Sequence, residues 1–120
     1  MKIAVLERNS VGTDIDVTCF EDFGEVTYYR NTVAADAAEK VKDVDIIIAN
    51  KAPMNEETLK DASCVKLICE FATGFDNIDL EYCKKRGIKV ANVKDYSTAA
   101  VAQHTFALAF YLLEHLPYYD

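Results

Sequence analysis

The sequence predicts an α/β fold built on a five-stranded parallel sheet. Five short apolar runs recur along the chain, and helical patterns with capping residues or terminal glycines separate them. Runs such as "VDIIIAN" (44–50) show little polar alternation, which is typical of strands covered on both faces. For five such units we expect the doubly wound, flavodoxin-like strand order 2-1-3-4-5, followed by a long apolar C-terminal helix.

Each element has its own signal in the sequence. The predicted strands span residues 2–7, 25–30, 44–50, 65–71 and 88–93. The predicted helices span residues 14–24, 32–43, 55–62, 79–87 and 97–116. Side chains that can accept a hydrogen bond from a first-turn N–H mark the helix starts, at Thr32, Asn55, Asp79 and Ser97 or Thr98. Gly87 is the expected C′ residue of its helix.

The last helix does not suit the outside of a single domain. Its segment "TFALAFYLL" (105–113) is apolar on every side, and such a helix is normally buried on every side. A second domain, a second chain or a membrane must therefore cover it. The polar residues Gln103, His104, Glu114 and His115 confine the run to well under the ~20 residues of a membrane span. We expect that more protein follows this helix.

Composition narrows the possible partners and compartment. The net charge of −7, from 13 basic and 20 acidic residues, argues against a nucleic-acid partner. The start "MKIAVLERNS" is charged too soon for a signal peptide, and no stretch has the length of a membrane span. The four cysteines form no C-x-x-C pair, which disfavours a zinc site. We predict reduced, mostly buried thiols in a cytoplasmic protein.

Ligands of such sheets bind beyond the carboxyl ends of the strands, which here are followed by segments 7–12, 50–55, 71–77 and 93–98. In "EFATGFDNID" (70–79), Gly74 could let consecutive backbone N–H groups enclose an anion. It could instead supply a positive φ in a plain turn, with Asp76 or Asn77 capping the next helix. The residues alone leave both interpretations open.

Three motifs in this order resemble the amino-terminal part of the D-isomer-specific 2-hydroxyacid dehydrogenases. They are "ATGFDNID" (72–79), "RGIKVANV" (86–93) and "YSTAAVAQHTFAL" (96–108). The segment "IIIANKAPMNEETL" (46–59) is similar to the glycerate dehydrogenase and hydroxypyruvate reductase branch. The resemblance implies a substrate (catalytic) domain over residues 1–97 and an interdomain and dimerisation helix over residues 98–120. It also implies a homodimer through residues 98–116.

The resemblance also implies which residues bind the substrate. The backbone N–H groups of Thr73, Gly74 and Phe75 would hold the substrate carboxylate. Lys51 would lie near the substrate, Tyr96 would face it, and Thr98 would face the cofactor. Alternatives remain, because a lone lysine is most often solvated and Ser97 or Thr98 could simply cap the helix.

The implied parent enzyme transfers a hydride between NAD(H) and a small 2-keto or 2-hydroxy acid, such as hydroxypyruvate or glycerate. The four glycines of this sequence form no G-x-G-x-x-G, so the inserted Rossmann domain of the family is absent from it. The family's catalytic arginine, glutamate and histidine lie beyond residue 120. We therefore expect this truncated domain to contain no catalytic residue, bind no cofactor and be inactive alone. His104 is assigned a structural or interface role, and His115 a role at the helix dipole.

Other classes of protein share the expected strand order. A receiver domain needs an acid at the end of strand three, where this sequence has Asn50 and Lys51. A flavodoxin needs a phosphate loop after strand one, and "NSVGTD" (9–14) is a weak version of one. A free-standing binding or self-associating structural module without catalysis is the remaining alternative.

Overall fold

A parallel sheet forms the centre of the protein, in a computed structural model that describes residues 1–119. Its strands are Lys2–Val5 (β1), Glu25–Tyr28 (β2), Ile46–Ala49 (β3), Leu67–Glu70 (β4) and Lys89–Asn92 (β5). All four pairings are parallel, and the order is β2-β1-β3-β4-β5. The predicted fold class and strand order are confirmed, although each strand is shorter than predicted.

Helices connect the strands. The α-helices are Ala34–Val41 (α1), Glu56–Leu59 (α2), Leu80–Arg86 (α3), Thr98–Leu113 (α4) and Leu116–Tyr119 (α5). Two 3-10 helices span Arg8–Val11 and Thr18–Phe23. The second of these replaces the helix predicted over 14–24, and the first was not predicted. The Arg8 guanidinium braces the loop that follows it by donating to the carbonyls of Gly12 and Ile15.

Three of the predicted caps are confirmed. The Asn55 side chain accepts the Thr58 N–H at 3.1 Å, and the Asp79 carboxylate accepts the Tyr82 N–H at 2.9 Å. Gly87 ends α3 in the left-handed region, at φ 70°, where a glycine avoids the steric cost of a Cβ.

The predicted cap at Thr32 is wrong. Its hydroxyl donates to the carbonyl of Leu6, at the end of β1, and α1 starts two residues later. The cap of α1 is reversed, because the Asp36 carboxylate inside the first turn accepts the Val33 N–H at 3.0 Å. Ser97 does occupy the N-cap position of α4, but its side chain makes no capping hydrogen bond.

The core is unequal on the two faces of the sheet. One face carries the larger cluster, to which α1, α2 and α3 contribute Val41, Leu59 and Cys83. The other face has a smaller cluster around Val5 and Ile48, onto which Phe20 of the second 3-10 helix packs. The Phe20 and Phe71 rings lie 5.8 Å apart there. Helical structure therefore covers both faces, but the second face only in part.

Helix α4 lies outside both clusters. Every one of its 16 residues is exposed, and Phe106 and Leu112 are 65% and 70% accessible. Its apolar surface is therefore uncovered in the single chain. Within residues 1–119, no helix combines the length and the hydropathy that a membrane span requires.

The cysteines differ from the prediction. All four are free thiols, but only Cys83 is buried; Cys69 is half-buried and both Cys19 and Cys64 are exposed. The prediction of mostly buried thiols is wrong because Cys19 lies on the outside of a 3-10 helix and Cys64 lies three residues before β4.

Candidate functional site

The carboxyl ends of the parallel strands meet at one edge of the sheet, here called the carboxyl edge. Two segments of this edge are tied together: the β3 loop (50–55) and the β4 turn (71–79). The Met54 N–H donates to the Asn77 carbonyl at 2.8 Å, and the Asp79 N–H donates to the Met54 carbonyl at 2.9 Å. Met54 and Ile78 thereby form a parallel bridge. The two segments that sequence reasoning placed near a ligand form one connected unit.

The β4 turn presents free main-chain donors. Thr73, Gly74 and Phe75 are exposed, and their amide N–H groups meet no acceptor within residues 1–119. The turn is nevertheless anchored to the end of β5. The Thr73 hydroxyl donates to the Val93 carbonyl at 2.9 Å, and the Asn92 amide donates to the Thr73 carbonyl at 2.8 Å. Consecutive N–H groups on an anchored turn can bind an anion without a cationic side chain.

Gly74 is not required by the geometry of the turn. Its φ is not in the left-handed region, so the positive-φ interpretation is wrong. A Cβ at Gly74 would meet only the Asp76 carboxylate, at 3.6 Å, which is ordinary van der Waals contact. The next helix is capped by Asp79 rather than by Asp76 or Asn77. Neither the backbone conformation, nor crowding, nor capping of α3 therefore requires a glycine at position 74.

A second set of donors at this edge is already satisfied. One carboxylate oxygen of Glu7, Oε2, accepts the N–H groups of Asn50, Lys51 and Ala52 at 2.7, 2.8 and 3.2 Å. Sequence reasoning placed Glu7 at this edge but did not identify this role. The Lys51 side chain is exposed, and within residues 1–119 no carboxylate lies within 4.0 Å of its ammonium.

Glu70 is a buried acid at the end of β4, with only 1% of its surface exposed. Its Oε2 accepts a hydrogen bond from the Asn77 amide at 3.2 Å, and the same amide donates to the Ala52 carbonyl at 3.0 Å. Its Oε1 has no hydrogen-bond partner within residues 1–119. Burial raises the pKa of Glu70 to about 7; the Glu7 charge adds to this and the Asn77 hydrogen bond opposes it. An acid closing the apolar run "VKLIC" was the sequence signal that we missed.

Tyr96 lies on an open cleft of about 380 Å³ beside the end of β5. Phe71, Val93 and Asn50 line the same cleft, together with residues 10, 11 and 15 of the loop after β1. Lys51 and the turn residues 73–75 do not line it. Thr98 is exposed in the first turn of α4, so the predicted site residues are spread along the carboxyl edge rather than gathered in one pocket.

His104 is exposed on α4, and His115 follows that helix with a positive φ of 51°. Within residues 1–119, no group of three or more His, Cys, Asp or Glu side chains is arranged to hold a metal ion. This edge presents main-chain N–H groups that could bind an anion, and one buried acid, Glu70, at the end of β4.

Comparison with known proteins gives a consistent result. The family model for the catalytic domain of D-isomer specific 2-hydroxyacid dehydrogenases matches residues 3–114. The chain is 32% identical to a hydroxypyruvate reductase of Blautia hydrogenotrophica over 100% of its own length and 38% of that protein. It is 34% identical to a glycerate dehydrogenase of Methylorubrum extorquens over 92% of its own length and 35% of that protein.

Solved structures agree with these sequence relatives. An acyclic imino acid reductase in complex with NADPH and D-arginine superposes with a TM-score of 0.85 at 25% identity, over 100% of this chain and 39% of that one. A D-lactate dehydrogenase of Aquifex aeolicus, complexed with NAD and lactic acid, gives 0.77 at 30% identity, over 97% of this chain and 34% of that one. The chain thus spans little more than a third of the length of these relatives.

Proposed function

Because the chain belongs to the D-isomer-specific 2-hydroxyacid dehydrogenase family, we propose that it is the substrate-binding part of an oxidoreductase that acts on a small 2-keto or 2-hydroxy acid. Hydroxypyruvate and glycerate are the substrates that the names of its relatives suggest. The observation that carries the proposal is that the N–H groups of Thr73, Gly74 and Phe75 meet no acceptor in the described part of the chain, residues 1–119. The backbone conformation does not require the glycine among them.

These three N–H groups suit a carboxylate. A carboxylate has two oxygens, which together accept several hydrogen bonds, and backbone amides supply donors at fixed positions. Hydrogen bonds to an ionised acceptor are roughly twice as strong as those between neutral groups. The turn would therefore fix one end of the substrate and so orient the carbon beside the carboxylate.

The side chains around the turn would complete the site. The Lys51 ammonium is free to move toward a bound anion, since within residues 1–119 no carboxylate lies within 4.0 Å of it. Tyr96 borders the cleft beside β5 and would contact the substrate, while Thr98 at the start of α4 would face the cofactor. Both proposals depend on how the carboxyl edge meets the rest of the enzyme.

We assign residues 1–97 to the substrate domain and residues 98–120 to a helix that joins it to a second domain and to a second copy; of these, Asp120 lies outside the described residues. NAD or NADPH is present in the structures of related enzymes. The residues of this chain do not fit a dinucleotide, since its four glycines form no phosphate-binding motif. We therefore place no step of hydride transfer on this chain, and we expect the 120 residues alone to have no dehydrogenase activity.

The test is a titration of the chain with D-glycerate and with D-lactate, in which nuclear magnetic resonance monitors the backbone amide signals. Shifts of the Thr73, Gly74 and Phe75 amide signals that saturate with ligand support the proposal, even at millimolar affinity. Lactamide is the matched control, because it keeps the size of lactate and lacks the charge. Equal shifts with lactamide, or saturating shifts elsewhere and none in this turn, contradict the proposal.

A further inference from the structure

A chain of hydrogen bonds connects the β4 turn with the ends of three strands. Glu70 at the end of β4 accepts from Asn77, and Asn77 donates also to Ala52 in the β3 loop. Ala52 in turn donates its N–H to Glu7, which follows β1. The same Asn77 accepts the Met54 N–H through its own carbonyl. The Glu70 carboxyl group is therefore linked by hydrogen bonds to both the β3 loop and the β4 turn.

The surroundings of Glu70 favour its neutral form. It is 1% exposed, and Oε1 has no protein partner within residues 1–119. Its neighbours across the sheet are Ala49 on β3 and Asn92 on β5, both uncharged. The charged group that acts on it is another carboxylate, Glu7, and among the described residues the Asn77 amide is its one hydrogen-bond donor. A buried carboxylate with a like charge nearby and one unpartnered oxygen is costly to ionise.

We propose that Glu70 is a proton-linked positioning residue. In its neutral form, Glu70 lets Asn77 hold the β4 turn against the β3 loop, so that the N–H groups of residues 73–75 keep the positions in which they bind an anion. In its ionised form, it draws the Asn77 amide and water toward itself and adds a negative charge behind the same N–H groups. The inference rests on the proposed carboxylate site, to which it adds a dependence on protons.

The size of the effect follows from electrostatics. A unit charge on Glu70 would repel a bound carboxylate, and at an effective dielectric constant between those of protein and water such repulsion weakens binding by roughly three- to ten-fold. Burial of Glu70 raises its pKa to about 7, which places the change between pH 6 and pH 8. The affinity for a carboxylate is therefore expected to fall three- to ten-fold over that interval.

The experiment uses the whole chain and D-lactate, which stays ionised throughout this pH range. Carbon-detected magnetic resonance follows the chemical shifts of three carbons at pH values from 5 to 9: the Glu70 side-chain carboxyl carbon and the backbone carbonyl carbons of Gly74 and Lys51. Titration at the same pH values gives the dissociation constant of D-lactate. We expect one midpoint near neutral pH for all three carbons and for the affinity. In Glu70→Gln, which copies the neutral acid, the affinity stays at its pH 6 value. Glu39→Gln removes an exposed charge on α1 and keeps the wild-type profile.

Each result decides the inference. A Glu70 carboxyl that is ionised throughout this range overturns it, as does an affinity that still falls between pH 6 and 8 in Glu70→Gln. If Glu70→Gln does not fold, the wild-type midpoints decide: a shared midpoint supports the inference and separate midpoints overturn it. Failure of the carboxylate site itself is recognised separately, because D-lactate then binds at no pH. The carbon midpoints of Gly74 and Lys51 still show whether Glu70 controls the two segments.

Discussion

At the scale of single residues, Gly74 and Gly87 are glycines for different reasons. Gly87 has φ 70°, a conformation that costs an L-residue roughly 1 kcal/mol. Gly74 lacks such a φ, and a Cβ there would meet only an ordinary contact. The backbone conformation therefore favours glycine at position 87 and does not at position 74, where we propose that a bound ligand is the reason for it.

This difference predicts opposite results for two alanine substitutions. Gly87→Ala should lower the free energy of unfolding by about 1 kcal/mol and leave carboxylate binding unchanged. Gly74→Ala should change stability by less than about 0.5 kcal/mol and weaken D-lactate binding, because its methyl group would lie on the turn that we propose binds the ligand. Urea unfolding and ligand titration of both variants measure this. Full lactate affinity in Gly74→Ala would remove the argument for close approach.

Glu70 also affects stability. Its pKa in the folded chain is about 7, above its ordinary value of 4.5, so the folded state holds a proton that the unfolded state has released. Stability is therefore lost as the pH rises from about 4.5 to about 7, and the loss is complete above that window. Between pH 5 and pH 8 it amounts to about 2 kcal/mol.

Glu70→Gln should abolish this loss. Urea unfolding of the variant and of wild type at pH 5 and pH 8 isolates the contribution of Glu70, since the other titrating groups are shared. We expect wild type to lose about 2 kcal/mol more than the variant. Parallel losses in the two proteins would show that Glu70 is ionised in the folded state at both pH values.

At the scale of elements, sequence reasoning located the strands and most helices because their signals are local. Apolar runs marked the five strands, and Asn55, Asp79 and Gly87 marked helix ends where the structure confirms them. The predicted cap at Thr32 failed because its hydroxyl donates a hydrogen bond to the Leu6 carbonyl, 26 residues away at the end of β1. A contact of that range leaves no trace in the neighbouring sequence.

Long-range contacts also limit what the sequence predicts about the site. Strand order placed the 50–55 and 71–77 segments at one edge, which the structure confirms. The Glu7 hydrogen bonds to the β3 loop join residues 43 to 45 positions apart, so no local pattern could predict them. The roles of Lys51, Tyr96 and Thr98 stay predictions.

The start of α3 offers a test of one element. The Asp79 carboxylate accepts the Tyr82 N–H at 2.9 Å, so Asp79→Ala should lower the free energy of unfolding by roughly 1 kcal/mol. Asp76→Ala is the matched control, since Asp76 is exposed three residues earlier and caps nothing. Urea unfolding measures both. An equal loss in the two variants would mean that the cap contributes little to stability.

At the scale of the whole molecule, α4 is the feature that the single chain does not explain. The sheet carries its own core, yet Phe106, Phe110 and Leu113 are all more than half exposed on one helix. Exposed apolar surface is unfavourable by roughly 25 cal/mol per Å², and patches of several hundred Å² commonly mark interaction sites. We propose that a second copy of the chain covers this helix, as the family resemblance implied for residues 98–116.

Two substitutions on α4 test that proposal. Light scattering after size exclusion should give a dimer for the wild-type chain at micromolar concentration. Phe106→Glu combined with Phe110→Glu should shift the mass to a monomer, because the two rings lie on the same side of α4 with centroids 6.4 Å apart, and charges there oppose burial. Phe23→Glu is the matched control, since Phe23 is 66% exposed outside this helix, and it should remain a dimer. A wild-type monomer would mean that α4 needs a different partner. A dimer that persists in the double variant would place the interface on another surface. The partly covered second face of the sheet would then be the next region to test.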